Sequence, residues 1–591
     1  MKLEDYFRDE LSYLRQQGEV FSQAWPQLTR FLSEQSTDPD VERLLEGFAF
    51  LSGSLRAKIE DEFPELTHGL LNMLWPNYLR SVPSMTIVQY TPKLQAISEA
   101  AYIPENVLLG SKSVDNISCQ FSTCRGAWIL PLELHEIFSN NSNENGTLTL
   151  ALKTFGALPL RQVQLDKLRI YLGNNHHSAT QLYLWLQQHL HHTSVHLDGV
   201  EFDIPHLEVL PIGFENTDAL LPYPKNIYPG YRILQEYFCF PEGLFFLDFS
   251  GFDSLPQNTP IEKIDISFHF DKPLPLDIKV HSDSIKLHCV PAVNLFPYHS
   301  EPLQLDGRSV SYPLRVSHSS PELYEIFSVQ KVEGWLTKHG HEQRDKTRPA
   351  RIYHPFESFR HQIEYEQDRS ARYYHLSVRN ALKMDGFEHD ITFVRGDESL
   401  VTDNEETIST MLLCTNRLIP TKLDIGDVNV GYSDTPPFVT FQNITHPTMP
   451  LRPIMDGSLQ WTLVSNLSLN YLSLLDKDAL LQIIRNYDFP AMNDQQASRI
   501  SQKRFAGIER LETSPVDRLI KGRPVRGIQS TLYMRQSAFS CEGDMYLFGS
   551  VLARFFALFA SVNAFHELTV VNTDTQANYR WPLQLGCRPL I

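Results

Sequence analysis

The segment that begins at Asp38 constrains the fold of this 591-residue chain more than any other. Asp38 can cap a helix, Pro39 stands where the first helical N–H is dispensable, and Asp40 meets the positive end of the helix dipole. Apolar residues follow at helical spacing, at Val41, Leu44, Leu45, Phe48, Leu51, Leu55 and Ile59. Phe48–Leu51 is apolar on every side, and a helix that is apolar all round must be buried all round. The pattern predicts a helix inside a bundle.

Small residues follow this apolar centre. Gly53 costs a helix interior about 1 kcal/mol relative to alanine, so we interpret it as a point where a second backbone approaches closely. The preceding stretch carries Phe7, Leu11 and Leu14 on one face, and residues 1–84 are predicted to form an N-terminal helical bundle segment. So small a segment cannot bury all of this apolar surface, and helices of partner subunits are the natural supplement.

Beyond residue 84 the sequence changes to short β-like runs separated by turn residues. Residues 85–255 and 256–455 are predicted to be two β-rich, wing-like domains, and Ile264–Phe270 alternates apolar and polar residues as a half-buried strand does. Residues 456–591 are predicted to form a C-terminal α/β domain with a long apolar helix near 545–562. Arg554 disfavours a membrane span there, because a charge at mid-membrane costs roughly 3 kcal/mol. The predicted fold class is α+β multidomain.

The charge balance limits the partners of the chain. Its 52 basic and 70 acidic side chains leave a net charge of −18, which repels nucleic acid and anionic membranes. The seven cysteines are odd in number and lack zinc-site spacing, which favours reduced thiols in the cytoplasm. The acidic, amphipathic N-terminus is unlike a signal peptide. We expect a cytoplasmic protein without a nucleic-acid partner and without direct membrane insertion.

Familiar catalytic motifs are missing from the sequence. It contains no glycine-rich phosphate loop, no Gly-x-Ser-x-Gly elbow and no His-Glu-x-x-His helix. His189, His192 and His196 could share a helical face and bind zinc. An incidental, solvated cluster is the favoured interpretation, because no nearby cysteine completes the set.

Paired carboxylates are the other catalytic candidates. The pairs Asp61/Glu62 and Glu405/Glu406 could serve acid–base hydrolysis. Such pairs arise by chance in a chain with 70 acidic residues, and we place these at a helix end and in a charged loop. These observations favour a structural subunit of a multiprotein assembly over an enzyme. The alternative is a soluble multidomain hydrolase with an unrecognised active site.

Charged residues inside apolar stretches are better functional candidates. Arg80, Glu236 and several arginines below lie beside residues expected to be buried, and buried charges must be paired. The pairing partner can lie in the same domain or across a subunit interface, and the sequence leaves both open. We predict subunit contacts in residues 1–80 and 540–566. The candidate interface residues are Phe7, Leu11, Leu14, Arg43, Phe48, Phe50, Gly53, Arg56, Tyr231, Arg232, Tyr237, Arg554, Phe555 and Phe559.

Blocks of sequence along the chain resemble the TssF (VasA or ImpG) family of bacterial type VI secretion systems. The N-terminal block reads Asp-Pro-Asp-Val-Glu-Arg-Leu-Leu-Glu-Gly-Phe-Ala-Phe-Leu from residue 38. The other blocks in order are 61–64, 75–80, 230–238, 290–297, 325–329, 353–356 and 414–417. They cover most of the chain in the expected order.

This resemblance implies a fold similar to the baseplate wedge proteins of contractile phage tails. It implies a structural subunit that pairs with a second copy of itself and one TssG-like subunit to form a wedge. It further implies contacts with a TssK-like adaptor, a TssE-like subunit and the spike hub. The assembly would stand in the bacterial cytoplasm at the inner membrane and provide the platform for the contractile tail. Neither catalysis nor a cofactor is expected.

Overall fold

A computed structural model describes most of the chain. The described residues are 7–15, 17, 39–60, 71–72, 75–93, 96–142, 144–173, 175–223, 230–305, 309–336, 351–356, 372–381, 386–395, 406–453, 476–560 and 564–586. They divide into two compact units, one ending at Leu79 and one beginning at Arg80. The α-helices are 7–15, Pro39–Glu60, Leu160–Val163, His176–Leu184, Gly230–Cys239, Lys477–Arg485, Phe489–Asn493, Gln495–Ala506 and Glu542–Phe559.

The first unit is helical where it is described. The helix Pro39–Glu60 begins at the proline that the sequence predicts and runs for 22 residues. We call it the assembly helix. Ser52 Oγ donates a hydrogen bond to Glu10 Oε2 at 3.1 Å, which joins the assembly helix to residues 7–15. The proposed cap Asp38 lies outside the described residues.

The second unit begins with a six-stranded sheet that nearly closes on itself. Its strands, in spatial order, are Val428–Gly431, Leu108–Val114, Ile117–Thr123, Cys289–Val293, Met85–Pro92 and Val439–Asn443. The two edge strands meet at Asn443, whose Oδ1 accepts from Val428 N at 2.9 Å and whose carbonyl accepts from Gly426 N at 3.0 Å. Side chains of this sheet such as Phe121 and Val290 belong to one buried core, which also includes later residues such as Leu412.

Two further sheets continue the chain between residues 132 and 287. A five-stranded sheet has the order Val200–Ile204, Leu190–Leu197, Pro260–Phe270, Gly146–Pro159 and Leu132–Asn141. A four-stranded sheet has the order Glu208–Ile212, Phe246–Ser250, Arg169–Leu172 and Ile285–Leu287. A two-stranded ladder joins Ala101–Ile103 to Ala127–Ile129.

An eight-stranded sheet fills the region from residue 296 to residue 415. Its main order is Phe296–His299, Glu406–Thr415, Glu325–Leu336, Arg351–Pro355, Arg372–Asn380, Phe387–Arg395 and Tyr312–Pro313, with Leu303–Gln304 beside Glu406–Thr415. Asn294 and Asn416 connect this sheet to the six-stranded one. Asn294 Nδ2 donates to Asn416 Oδ1 at 2.9 Å, and Asn416 N donates to Asn294 Oδ1 at 2.7 Å.

The strand pairing in these sheets contradicts the predicted domain boundary between residues 255 and 256. The strand Pro260–Phe270 pairs with Gly146–Pro159 on one side and with Leu190–Leu197 on the other. Met85–Pro92 likewise pairs with strands that begin at Cys289 and Val439. Strands from both predicted β-rich domains therefore share the same ladders, and the boundary does not separate two cores.

The C-terminal region combines helices with a mostly antiparallel sheet. The strands in order are Ile508–Ile520, Arg523–Met534, Phe565–Asn572 and Asn578–Arg580, with Gln584–Leu585 beside Phe565–Asn572. The helix Glu542–Phe559 crosses the interior of the second unit. Its Gly543 allows close approach to another helix, because a Cβ there would lie 2.2 Å from Thr180 O. Tyr237 and Phe548 pack with ring centroids 5.6 Å apart.

A buried ion pair organises the helix Gly230–Cys239. Arg232 Nη1 lies 2.8 Å from Glu236 Oε2, and both side chains are only 4% exposed. Glu236 Oε1 accepts from Leu220 N at 2.9 Å, while Arg232 Nη2 donates to Glu215 O at 2.9 Å. Nearby, Arg125 donates to the carbonyls of Asp218 and Gly243, at 2.7 and 2.9 Å. The helix and the loop 213–220 are thereby fixed to each other.

We expect Arg232→Met to destabilise the chain by about 3–5 kcal/mol, because it leaves the Glu236 carboxylate buried without its partner charge. The double variant Arg232→Met/Glu236→Leu should cost less than the sum of the two single changes, since it removes both charges. The urea midpoint followed by tryptophan fluorescence measures the effect. Arg379→Met is the matched control, because its ion pair with Glu388 is 62% and 44% exposed and contributes about 0–1 kcal/mol. Equal midpoints for Arg232→Met and wild type would contradict the assignment.

We also expect the stability to fall as the pH drops from about 6.5 towards 4, partly through His288. Its Nε2 accepts a hydrogen bond from Leu130 N at 3.1 Å, and burial lowers the pKa of His288 to about 4. The unfolded chain therefore binds a proton below its ordinary pKa while the folded chain still excludes it, so acid favours unfolding by up to about 3 kcal/mol.

His288→Asn tests this linkage. Asparagine tolerates the backbone φ of +57° at this position and cannot titrate. The urea midpoint of the variant should change less between pH 7 and pH 4.5 than that of the wild type. His389 and His566 titrate alike in both proteins, so the difference in slope reports on His288. Parallel slopes would show that His288 does not contribute.

Candidate interaction surfaces

The assembly helix exposes most of the apolar side chains described on it. Leu44, Phe48, Phe50 and Leu51 are 74%, 60%, 46% and 66% exposed. The prediction that this helix is buried all round is therefore not met within a single copy of the chain, where Ala49 is fully buried. Large exposed apolar patches mark sites where a protein meets a partner.

The other N-terminal candidates lie on the same unit. Phe7, Leu11 and Leu14 are half-buried along residues 7–15. Gly53 is buried on the assembly helix, as a position of close packing would be, and Arg43 is exposed there. The side chain of Arg56 lies outside the described residues, so its predicted contact stays a prediction.

Four of the candidate interface residues are instead covered by the chain itself. Tyr231, Arg232, Tyr237 and Phe555 are at most 4% exposed. Tyr231 stacks on Tyr487 with ring centroids 5.2 Å apart. A partner cannot reach these side chains without opening the core, so we correct their prediction: they are internal packing residues, and the charged pair of Arg232 lies within one unit.

The helix Glu542–Phe559 requires a similar correction. Its described side chains are almost all buried, and it packs on the helices His176–Leu184 and Gly230–Cys239. Arg554 is half-buried and donates to Gln584 Oε1 at 3.0 Å, with Phe214 beneath its guanidinium. The predicted subunit contact along 540–566 is therefore wrong for the buried part of the helix. The side chain of Phe559 lies outside the described residues.

Arg80 shows how a charge in an apolar block is accommodated. Its guanidinium lies over the Phe327 ring, 5.2 Å from the centroid, and burial lowers the pKa of Arg80 to about 10. Glu406 is a second buried charge, at a position where the sequence predicts a charged loop. Glu406 is fully buried in a strand, 2.9 Å from Arg351 and 3.5 Å from Arg372.

The histidine cluster is not a helical face. His189 ends a turn of π-helix, whereas His192 and His196 lie on the strand Leu190–Leu197. His192 stacks on His269 of the neighbouring strand, with ring centroids 4.2 Å apart. Among the described residues, no group of three histidine, cysteine or acidic side chains is arranged to hold a metal ion.

A cavity of about 160 Å³ lies beside the N-terminal end of the helix Glu542–Phe559. Its wall includes His176, Asp488, Ser501 and Arg504. These polar groups hold the helices together: Ser501 Oγ donates to the Asp488 carboxylate, and Arg504 Nη2 lies 3.2 Å from Asp544 Oδ2. Burial raises the pKa of Asp488. Burial also acts to raise the pKa of Asp544, but the neighbouring His176, 4.0 Å away, and the charge of Arg504 outweigh it and lower that pKa. These polar side chains therefore connect the helices through hydrogen bonds and ion pairs.

Asn294 and Asn416 are the structural residues that sequence reasoning missed. They lie in two of the family-like blocks, 290–297 and 414–417, and their paired side chains join two sheets. The sequence does contain a signal for this structural role, since asparagine in an apolar strand requires a hydrogen-bonding partner. Its partner, however, is 122 positions away.

Within the described part of the chain, no helix has both the length and the apolar character needed to cross a lipid bilayer.

Comparison with known proteins relates the whole chain to one group. It is 28% identical over 634 residues to the type VI secretion system component TssF1 of Pseudomonas aeruginosa, a match that covers 100% of this chain and 99% of that protein. A chain in the cryo-electron microscopy structure of the type VI secretion system TssK-TssF-TssG baseplate subcomplex is 29% identical, with a TM-score of 0.76. That match covers 92% of this chain and 98% of the other.

A chain in the structure of the type VI secretion system baseplate complex is also similar. It is 26% identical with a TM-score of 0.67, and the match covers 100% of both chains. The family model described as "Type VI secretion system, TssF" matches residues 1–588. The long resemblance seen in the sequence blocks is thus confirmed, and the chain belongs to the TssF family of type VI secretion system components.

Proposed function

We propose that this chain is a structural subunit of a type VI secretion baseplate, and that the assembly helix is its main contact with partner helices. The exposed apolar side chains at Leu44, Phe48, Phe50 and Leu51 carry the proposal. Fully burying one such side chain contributes about 1.5–3 kcal/mol. Four of them on one helix provide a strong driving force for association.

The partners follow from the similar structures. The TssK-TssF-TssG subcomplex contains a TssF chain similar to this one. By that similarity, a TssG-like subunit and a TssK-like adaptor bind this chain, and we add to the proposal a second copy of the chain in the same wedge. We extend the proposal to a TssE-like subunit and the spike hub, at the cytoplasmic face of the inner membrane.

The proposed role requires geometry and not catalysis. The polar groups around the cavity lined by Asp488 and Arg504 bond to one another and hold helices in place. The hydrolase alternative finds no support in the described residues. We infer that the chain acts without an enzymatic activity or a cofactor. Its packed second unit serves as a rigid part that keeps neighbouring subunits of the platform at fixed positions.

The variant Phe48→Gln/Leu51→Gln should lose at least tenfold in affinity for a co-expressed TssG-like subunit, because it removes two exposed apolar anchors. Both side chains are more than half exposed, so the unbound chain should keep its thermal midpoint. Affinity capture followed by light scattering of the eluted complex measures the loss.

Leu276→Gln is the matched control, since Leu276 is 96% exposed in the second unit. This variant should bind the partner as wild type does. A stable wild-type monomer that ignores the TssG-like subunit would overturn the proposed function. Unchanged binding by the double variant would overturn the role of the assembly helix.

A further inference from the structure

The long C-terminal hairpin extends beyond the sheet that carries it. Its two strands pair from Ile508 to Ile520, but the neighbouring strand Phe565–Asn572 pairs only with residues 527–534. Residues 517–526 therefore form a two-stranded ribbon in the described structure, which residues 515 and 516 join to the sheet. Lys521 and Gly522 close it with φ values of +49° and +78°, as a tight hairpin turn requires.

This ribbon is basic, although the chain as a whole is strongly acidic. It carries Arg518, Lys521, Arg523 and Arg526 against one acidic residue, Asp517, in a chain of net charge −18. Arg518 forms a two-pronged pair with Glu567, with both N–O distances 3.1 Å. The other three basic residues are exposed. We call residues 515–526 the basic ribbon.

The basic ribbon also has an exposed apolar side chain, and its prolines oppose pairing with an additional strand. Leu519 is 78% exposed and lies opposite Pro524 in the ladder. Pro515 and Pro524 have no backbone N–H to donate, and proline on a strand edge opposes pairing with a further strand. Recognition by this element must therefore use its side chains.

A surface of opposite character lies elsewhere on the second unit. Val200–Ile204 is the edge strand of the five-stranded sheet, and Glu208–Ile212 is the edge strand of the four-stranded sheet. Residues 198–210 contain no lysine or arginine, and we call them the acidic edge. Their exposed side chains include the apolar Val200 and Leu210, 58% and 49% exposed, and the acidic Asp198, Glu201, Asp203 and Glu208.

We propose that the basic ribbon of one copy docks on the acidic edge of a second copy of this chain. Three exposed basic side chains of the ribbon meet three acidic side chains of the edge, because Arg518 and Asp198 have internal partners. Leu519 meets the exposed apolar side chains of Val200 and Leu210. Because the ribbon and the edge are different surfaces, the contact is heterologous. A heterologous contact repeats from copy to copy and generates a ring when its rotation closes. The inference rests on the proposed function, in which several copies assemble into one platform.

A long polyanion fits the basic ribbon less well. The ribbon is short, and Glu567 adjoins its base. The exposed leucine at the tip has an apolar counterpart on the acidic edge and none on a phosphate backbone.

The size of the basic ribbon sets the expected strength of the contact. Stable interfaces bury about 1,200–2,000 Å² in total, and a twelve-residue ribbon provides less. The contact is therefore weak in isolation and sensitive to salt, because charges are screened over about 8 Å at physiological ionic strength. In an assembly, simultaneous contacts raise its effective strength.

Two neutralised variants of the full-length chain test the contact. The ribbon variant is Lys521→Ser/Arg523→Ser/Arg526→Ser, and the edge variant is Glu201→Gln/Asp203→Asn/Glu208→Gln. Both leave in place the residues with internal roles, Arg518 and Asp198, the latter accepting from Lys263 N at 2.8 Å.

Sedimentation velocity over a range of protein and salt concentrations provides the readout. Wild type should self-associate, less so at high salt, and each variant alone should lose at least tenfold in association. An equimolar mixture of the two variants should form a dimer and nothing larger. The intact ribbon of the edge variant docks on the intact edge of the ribbon variant, while the remaining two surfaces are neutral.

A matched control separates this contact from net charge. Lys279→Ser/Arg499→Ser/Lys503→Ser removes three exposed positive charges outside the ribbon and should associate as wild type does. A monomeric wild type, a ribbon variant that associates normally, or a mixture that stays monomeric would each overturn the contact. So would ribbon-dependent binding of duplex DNA or anionic vesicles without self-association. Capture of the TssG-like subunit is measured in the same samples, so failure of the proposed function is seen separately.

Discussion

The buried charges of Arg125 and Arg232 set a constraint on which much of the second unit depends. A buried arginine must find acceptors for its donors, and here they come from three separate parts of the chain. Arg232 pairs with Glu236 on its own helix, and Arg125 reaches the carbonyls of Asp218 and Gly243. The same helix presents Tyr231 to Phe555, with ring centroids 6.4 Å apart. Polar pairing on one side and aromatic packing on the other thus hold the helix in one orientation.

The two units use apolar residues in different ways. In the second unit the apolar helix Glu542–Phe559 is enclosed by the chain's own helices and sheet. In the first unit the assembly helix leaves large apolar side chains exposed. An all-round apolar pattern therefore predicts only that the helix is buried in the functional form of the protein. The covering atoms can belong to the same chain or to another subunit.

Local patterns in the sequence predict elements well and long-range pairings poorly. The proline start of the assembly helix and the alternating strand around Ile264 are both confirmed. The strand at His192 was missed, because the burial there does not alternate: Thr193, Ser194 and Val195 are buried in succession. The role of Glu406 was out of reach, because its two arginine partners lie 34 and 55 positions away. The 255/256 boundary failed for the same reason, since strand partners distant in sequence leave no local signal.

The junction between the two edge strands of the six-stranded sheet has a further consequence when many protein copies are crowded together. An assembly that holds many copies side by side raises their local concentration, and any bare strand edge then becomes a template for unwanted pairing. By joining its first and last strands at Asn443, the sheet removes two such templates. These two strands are thereby kept from pairing with another chain through the backbone, so that any contact at this sheet is left to side chains, which can be specific and reversible.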